Sequence, residues 1–525
     1  MLRAPPLPFA VLTDSYKSNH YLQYPAVTAM VAYGEFRGPY EKDSTDTRMV
    51  FYGMRHLIEN YIAVRWTVED VARVEAFYAT HSAGATPMSF PKELFLKFIA
   101  ENDGYLPITI QALPEGTVVN ARTPVYQLTA TGEYARLATY LETLLTQVWY
   151  PTTVATLSRR ARQLIADAFA TSVDADSMFL LDSRLHDFGF RGCTSVEQSV
   201  IGGTAHLLNF NGTDTLAAAF HAQYVLNGGK PVGFSVPASE HSVMTSWPTE
   251  EEAMRHMIST FGGPGAVFSI VMDSYDYENA LYNVLPKVAA QHLAKGGVMV
   301  LRPDSGDPVK CVLQALDACE KAFGVTVNSK GYKVINASGV LQGDGINIGT
   351  IKTILAAVLE AGYSAQCVCF GMGGGLLQKV NRDTMAFATK LSHIVTPDGA
   401  EVDIMKRPKT DGGKISFPGR LQVRRCPATG APTAYPVLAD GSSPADVDGV
   451  GPDLLEVVYD CGPVKDLAWP LFDEIKARVE KQWAEVPRKH SPISAALQTK
   501  IDNWRPYAHL EAKKDDEDDC KKCKE

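Results

Sequence analysis

The chain has 525 residues, 46% of them hydrophobic and 21% charged, so it buries sizeable cores and is not a disordered polymer. Lys plus Arg number 50 against 59 Asp plus Glu, for a net charge of −9, which excludes a global basic surface for nucleic acid or an anionic membrane. Any phosphate it binds must be held by a local constellation.

The N-terminal MLRAPPLPFAVLTDSYK sets prolines ahead of a short apolar run and offers no small-residue cleavage site. No stretch reaches the roughly 18 uninterrupted apolar residues of a membrane span, so the expectation is a soluble, cytoplasmic protein. The cysteines (193, 311, 319, 367, 369, 426, 461, 520 and 523) are odd in number and scattered, which predicts reduced thiols. Residues 1–150 mix strand-like runs such as PITIQALPEGTVVN with helical runs such as ARLATYLETLLTQVWY, without a regular repeat.

From 151 to 385 the pattern becomes regular: a β-rich run ends in a polar or glycine-rich break, and a helical segment follows. In order, the runs close on Asp187 and Arg191, on Asp214, on Glu240 and His241, on Asp273, on Arg302 and Asp304, on Gly343 and Asp344, and on Gly373 to Gly375. Such alternation predicts a parallel α/β domain, either a (β/α) barrel-like fold or a doubly wound sheet, and both gather ligands at strand carboxyl ends. Residues 386–505 turn strand-and-turn rich again, which predicts a second, mixed α/β domain built from both chain ends. The tail from 506 to 525, with KKDDEDDCKKCKE, has the composition of a disordered segment.

Phosphate chemistry has three candidate seats. In GMGGGLLQKVNRD, Gly371, Gly373, Gly374 and Gly375 precede a helical segment, where bare backbone lets N–H groups approach an anion. Leu376 stands where a dinucleotide fingerprint needs glycine, and a flexible turn explains the glycines equally well. Arg191-Gly192 precedes Thr194-Ser195-Val196-Glu197, a T-x-x-E capping box or a plain surface cap. Arg302-Pro303-Asp304-Ser305-Gly306-Asp307 sets a guanidinium beside two carboxylates, suited to a sugar phosphate with Mg²⁺ or to a local salt bridge. His241, next to Glu240, could act as a base or accept a phosphoryl group. No P-loop, H-E-x-x-H or G-x-S-x-G is present, and no metal ligand is directly assigned.

TDSYK (13 to 17), VFYG (50 to 53), WYPTTVAT (149 to 156), LHDFGFRG (185 to 192), NFNGTDT (209 to 215), SVPASEHS (235 to 242), DSYD (273 to 276), LRPDSGDP (301 to 308), QGDGI (342 to 346) and GGGLLQKVNRD (373 to 383) together resemble the nicotinamide phosphoribosyltransferase family. The resemblance implies a type II phosphoribosyltransferase fold. It also implies transfer of 5-phosphoribosyl from its 1-diphosphate to nicotinamide, and a homodimer with shared active sites. In that pattern Phe188 and Tyr16 of the partner subunit would stack on the nicotinamide ring, and Asp214 would read the carboxamide. Arg191 and Arg302 would bind diphosphate and phosphate. Gly343, Asp344 and Asp304 would contact the ribose, with Asp273 nearby. Gly373, Gly374 and Arg382 would cradle the 5′-phosphate. Lys390, Lys406 and Lys414, with Arg37 of the partner subunit, would contact polyphosphate. His241 would be phosphorylated by ATP, with Mg²⁺ as cofactor. Met372 and Ala388 depart from the pattern, and residues 426–525 match it poorly. A nicotinate-specific relative, a catalytically silent binder and a sugar-phosphate lyase are the alternatives.

Overall fold

A computed structural model describes residues 7–410, 412–438, 441–442 and 451–505. The charged tail expected from residue 506, with Cys520 and Cys523, lies outside them. The chain forms two compact units: Met1–Thr153 with Arg382–Pro470 and Ala477–Glu525, and Val154–Asn381 with Leu471–Lys476.

The first unit is built on an antiparallel sheet of 6 strands, in the order Glu401–Asp403, Phe387–Val395, Ala29–Phe36, Pro124–Thr131, Ile108–Ala112 and Glu456–Asp460. Both ends of the chain therefore supply strands to one mixed α/β unit. Every residue of Ala29–Phe36 is buried, which is why AMVAYGEF is nearly continuously apolar instead of alternating. Gly34 is needed there, because a Cβ would come within 2.3 Å of the Tyr126 ring. Glu35 is the exception to the apolar run: Tyr33 donates to its Oε1 at 3.3 Å and Arg122 Nε lies 3.3 Å from its Oε2. Burial pushes Glu35 up to about 6 despite that guanidinium. The Tyr33 ring in turn stacks on Phe417 with centroids 5.7 Å apart.

The second unit carries a parallel sheet of 6 strands, in the order Gly212–Thr213, Leu185–Asp187, Val368–Met372, Ser338–Gln342, Val298–Arg302 and Val267–Val271. Neighbours in space are neighbours in sequence, and the last strand pairs with the first, Phe370 opposite Leu185. A doubly wound sheet would reverse strand order at a switch point, so the curled, barrel-like arrangement is the one this chain adopts. Between the two edge strands runs the KPVGFSVPASEH segment, where a seventh strand was expected. It makes only isolated bridges, Phe234 to Gly212 and Ala238 to Ser269. Pro231 and Pro237 explain this: neither has an N–H, and Pro237 contributes only its carbonyl, to Ser269 N at 2.8 Å.

Two local expectations are corrected. The helix Val196–Leu207 is capped by Ser195, whose side chain accepts from Gln198 N, so the T-x-x-E frame is displaced by one residue. Asp307 is a helix cap as well: its side chain accepts from Lys310 N at 2.8 Å at the start of Pro308–Phe323, so this carboxylate is committed to folding. Among the described residues no helix is long and apolar enough to cross a membrane, and Cys193, Cys311, Cys319, Cys367, Cys369, Cys426 and Cys461 are free.

Candidate active site

The carboxyl ends of the ring strands surround a pocket of about 280 Å³ whose wall includes His186, Phe188, Arg191, Asp214, Ser235 and Arg302. Phe188 follows its strand directly and donates its backbone N–H to Met372 O at 3.0 Å. Its ring fills space that two glycines leave open. A Cβ on Gly371 would lie 2.1 Å from Phe188 Cε2, and one on Gly343 would lie 3.2 Å from the same atom. Part of the glycine run is thus a packing requirement of an aromatic ring. Gly375 has a comparable reason, since a Cβ there would meet Ile346 O at 2.5 Å and Met372 Cγ at 3.2 Å. The unexpected Met372 is fully buried and uses that space.

Asp214 stands on the pocket wall with Oδ1 accepting from Ser235 Oγ at 2.8 Å. Its Oδ2 lies 3.6 Å from His186 Nδ1, a buried nitrogen without a hydrogen-bond partner. His186 fits because its opposite residue is Gly212, where a Cβ would come within 2.5 Å of His186 Cδ2. Burial disfavours a charged ring, but Cys369 and Asp214 outweigh it and raise the His186 pKa. Next in sequence, Asp187 is wholly buried, its Oδ1 accepting from Gly189 N at 2.7 Å, and burial pushes it up to about 6.

A second cluster joins two strand ends, after Val267–Val271 and Val298–Arg302, to the start of the helix His241–Thr245. Asp273 accepts from His241 Nε2 at 3.0 Å, from Asp304 N at 3.2 Å and from the Ser305 hydroxyl. Burial opposes its charge, yet the hydrogen bonds from Ser305 and His241 prevail and hold Asp273 below the usual carboxylate range. His241 Nδ1 lies 3.9 Å from Asp304 Oδ2, and its side chain is 46% exposed. With Nε2–H donated to Asp273, the free lone pair of the ring is on Nδ1. Arg302 lines the pocket and has a buried Nε without a hydrogen-bond partner.

Gly373 and the exposed Gly374 follow Val368–Met372, and the helix after them is the single turn Gly374–Leu377. Close backbone approach, more than a helix dipole, is what this cradle offers an anion. Asp344 is exposed at the end of Ser338–Gln342, its carbonyl accepting from Gln342 Nε2 at 3.0 Å.

The remaining expected residues belong to the antiparallel unit. Arg37 Nε donates to Ala386 O at 3.3 Å, and Lys390 Nζ to Thr389 O at 2.8 Å. Burial lowers the Lys390 pKa, and Arg37, Lys406 and Lys17 add to this against Glu142, so a cationic cluster is assembled there. Lys414 is exposed in the Gly412–Lys414 turn, and Arg382 lies 3.7 Å from Asp383. Tyr16 is 64% exposed, its ring edge-on to His20 with centroids 5.0 Å apart. His186 and Ser235 were missed by sequence reasoning. The central position of LHD was a usable signal for His186, whereas nothing local ties Ser235 to Asp214.

Comparison with known proteins decides the family. Residues 183–433 match the nicotinate phosphoribosyltransferase (NAPRTase) family, and residues 8–110 match the nicotinamide phosphoribosyltransferase N-terminal domain. A nicotinamide phosphoribosyltransferase of Xanthomonas campestris pv. campestris is 43% identical over 424 residues, covering 80% of this chain and 88% of that one. The chain belongs to the nicotinamide phosphoribosyltransferase family. Another family member, from Acinetobacter baylyi, is 31% identical over 455 residues, covering 78% of this chain and 87% of its own. Solved structures share the fold of this phosphoribosyltransferase. Human nicotinic acid phosphoribosyltransferase superposes with a TM-score of 0.58 at 17% identity, over 94% of this chain and all of that one. The nicotinate-nucleotide pyrophosphorylase of Pyrococcus furiosus does so with a TM-score of 0.57 at 17% identity, over 92% of this chain and 98% of its own.

Proposed function

We propose that this phosphoribosyltransferase uses nicotinamide as acceptor, moving 5-phosphoribosyl from its 1-diphosphate to the ring nitrogen to give nicotinamide mononucleotide and diphosphate. The observation that carries this reading is Asp214 on the pocket wall, held by Ser235 and facing His186. A carboxylate there accepts from an amide NH₂ and repels the carboxylate of nicotinate. Phe188 supplies one aromatic face for the ring, and the exposed Tyr16 of the partner subunit supplies the other in a homodimer.

Departure of diphosphate leaves a cationic, oxocarbenium-like ribosyl centre. Arg191 and Arg302 neutralise the leaving group, while Asp273 and Asp304 stabilise the positive sugar. Among the described residues no group of three or more His, Cys, Asp or Glu could hold a metal ion. In this reading a single carboxylate, Asp304 or Asp344, would hold a Mg²⁺ brought in with the diphosphate. When bound, it withdraws charge from the departing diphosphate. ATP enters as co-substrate at His241: Nδ1 attacks the γ-phosphorus, an N–P bond forms, ADP leaves, and Asp273 retains the Nε2 proton.

A nicotinate reading has one observation in its favour, the raised pKa of His186, whose cation could pair with the acid. The experiment is product formation with phosphoribosyl diphosphate, Mg²⁺ and either acceptor, with and without ATP. Nicotinamide turnover stimulated by ATP is expected, and turnover of nicotinate instead would transfer the protein to the acid-specific reaction. His241→Ala should keep basal transfer and lose the ATP stimulation. Stimulation that survives the substitution would remove the phosphohistidine step.

A further inference from the structure

Arg191 and the glycine cradle come from different parts of the ring unit, and each stands on a short turn. Arg191 sits in the three-residue turn Phe190–Gly192, and Gly374 opens a turn of four residues. Gln378, just past that second turn, ties the two together. Its Nε2 donates to Gly189 O at 2.9 Å and to Cys193 Sγ at 3.1 Å, which uses both amide hydrogens on the two flanks of Arg191. Its own backbone N–H donates to Gly374 O at 3.1 Å. The close approach depends on missing side chains. A Cβ on Gly192 would lie 2.7 Å from Gln378 Oε1, and one on Gly189 would lie 2.6 Å from Leu377 Cδ1. A second tie runs parallel: Gln198 Nε2 donates to Leu377 O at 3.3 Å, while its Oε1 accepts from Thr194 N at 2.7 Å and from Thr194 Oγ1 at 2.9 Å.

We propose that Gln378 is a positioning residue that fixes the Arg191 loop against the Gly373–Gly374 cradle, so that the two ends of the phosphoribosyl donor meet groups at a set spacing. This rests on the reading of Arg191 and the cradle as anion binders. The donor is the substrate with anionic groups at both ends, so it alone senses that spacing; nicotinamide meets Phe188 and Asp214. Misplacing a binding group by about 1 Å can cost on the order of 100-fold in rate, and a single lost tie should cost less.

The test is a double-mutant cycle on the full chain, read as donor KM, nicotinamide KM and kcat. Gln378→Met, close in volume but without donors, should raise donor KM by roughly 10-fold and leave nicotinamide KM near the parent value. Gln378→Glu turns an acceptor toward Gly189 O and should be at least as poor. Arg191→Ala should raise donor KM strongly, and adding Gln378→Met to it should cost little more, because the glutamine acts through the arginine. Gln198→Met should show the same donor-only effect in weaker form. An unchanged donor KM in Arg191→Ala would refute the anion-binding reading itself. If Arg191→Ala is impaired while Gln378→Met is not, the positioning role is wrong. It is equally overturned by multiplicative losses in the double variant, by equal losses for donor and nicotinamide, or by full donor affinity in Gln378→Glu.

Discussion

In the parallel ring the charged groups stand where strands finish: Arg302 ends Val298–Arg302, Asp273 lies just beyond Val267–Val271, and Asp344 just beyond Ser338–Gln342. In the antiparallel sheet they stand inside strands, Glu35 within Ala29–Phe36 and Lys390 within Phe387–Val395. The parallel topology points every strand the same way, so side chains far apart in sequence meet at one mouth. An antiparallel sheet has no common end. Its polar groups project from a face mid-strand and are compensated one by one, as Arg122 and Tyr33 do for Glu35.

The largest way to break this contrast is Arg302→Ala. If strand ends carry the chemistry, removing the guanidinium from the pocket should lower kcat/KM by roughly 100- to 1000-fold, the range for losing one preorganised charge stabiliser. A loss under tenfold in steady-state rates would move the chemistry away from the ring mouth.

Next in size are the two aromatic residues that the proposed reaction stacks on nicotinamide, Phe188 and Tyr16 of the partner subunit. Tyr16→Ala and Phe188→Ala should each raise nicotinamide KM about 10- to 100-fold by removing one stacking face, with donor KM nearly unchanged. Mixing the two variants after subunit exchange should restore about a quarter of parent activity, since half of the dimers then hold one intact site. No recovery in that assay would count against a site shared between subunits.

Lys390→Met probes the sheet. Burial and neighbouring cations already lower the pKa of this lysine, so an incoming polyphosphate relieves repulsion there. The expected effect is about a tenfold weaker affinity for donor or ATP, measured by calorimetry, with nicotinamide unaffected. An unaltered affinity for both polyphosphates would leave the cluster a structural feature of the sheet.

The same contrast governs what could be read from the sequence. The ring was legible because each β-rich run broke at a chemically distinctive residue; His241, Asp273 and Asp304 do meet, and Arg302 lines the pocket with Asp214. Asp307 looked like one more such residue and is a helix cap, because a carboxylate one residue before Pro308 serves either role. Proline, an obstacle to ladder pairing, removed the seventh strand from a segment whose apolar residues suggested one. Gln378 and Ser235 were hidden for a different reason: their partners are a carbonyl and a carboxylate contributed by distant segments. Pairings of that kind leave no periodicity and no motif.

The smallest effect concerns Asp187, a strand-end carboxylate that the ring buries instead of exposing. Burial raises it to about 6 from an ordinary value of 3.8, so the folded chain keeps a proton that the unfolded chain has released. Stability from this group is therefore full below pH ~4, falls as pH rises toward ~6, and stays reduced above that. Asn at this position has no proton to lose. Asp187→Asn should thus melt higher than the parent at pH 8, by an amount corresponding to at most about 3 kcal/mol, with the advantage shrinking through pH 6 and gone near pH 4. A melting-temperature difference independent of pH would mean that Asp187 stays ionised in the fold, with a cationic neighbour such as His186 compensating it.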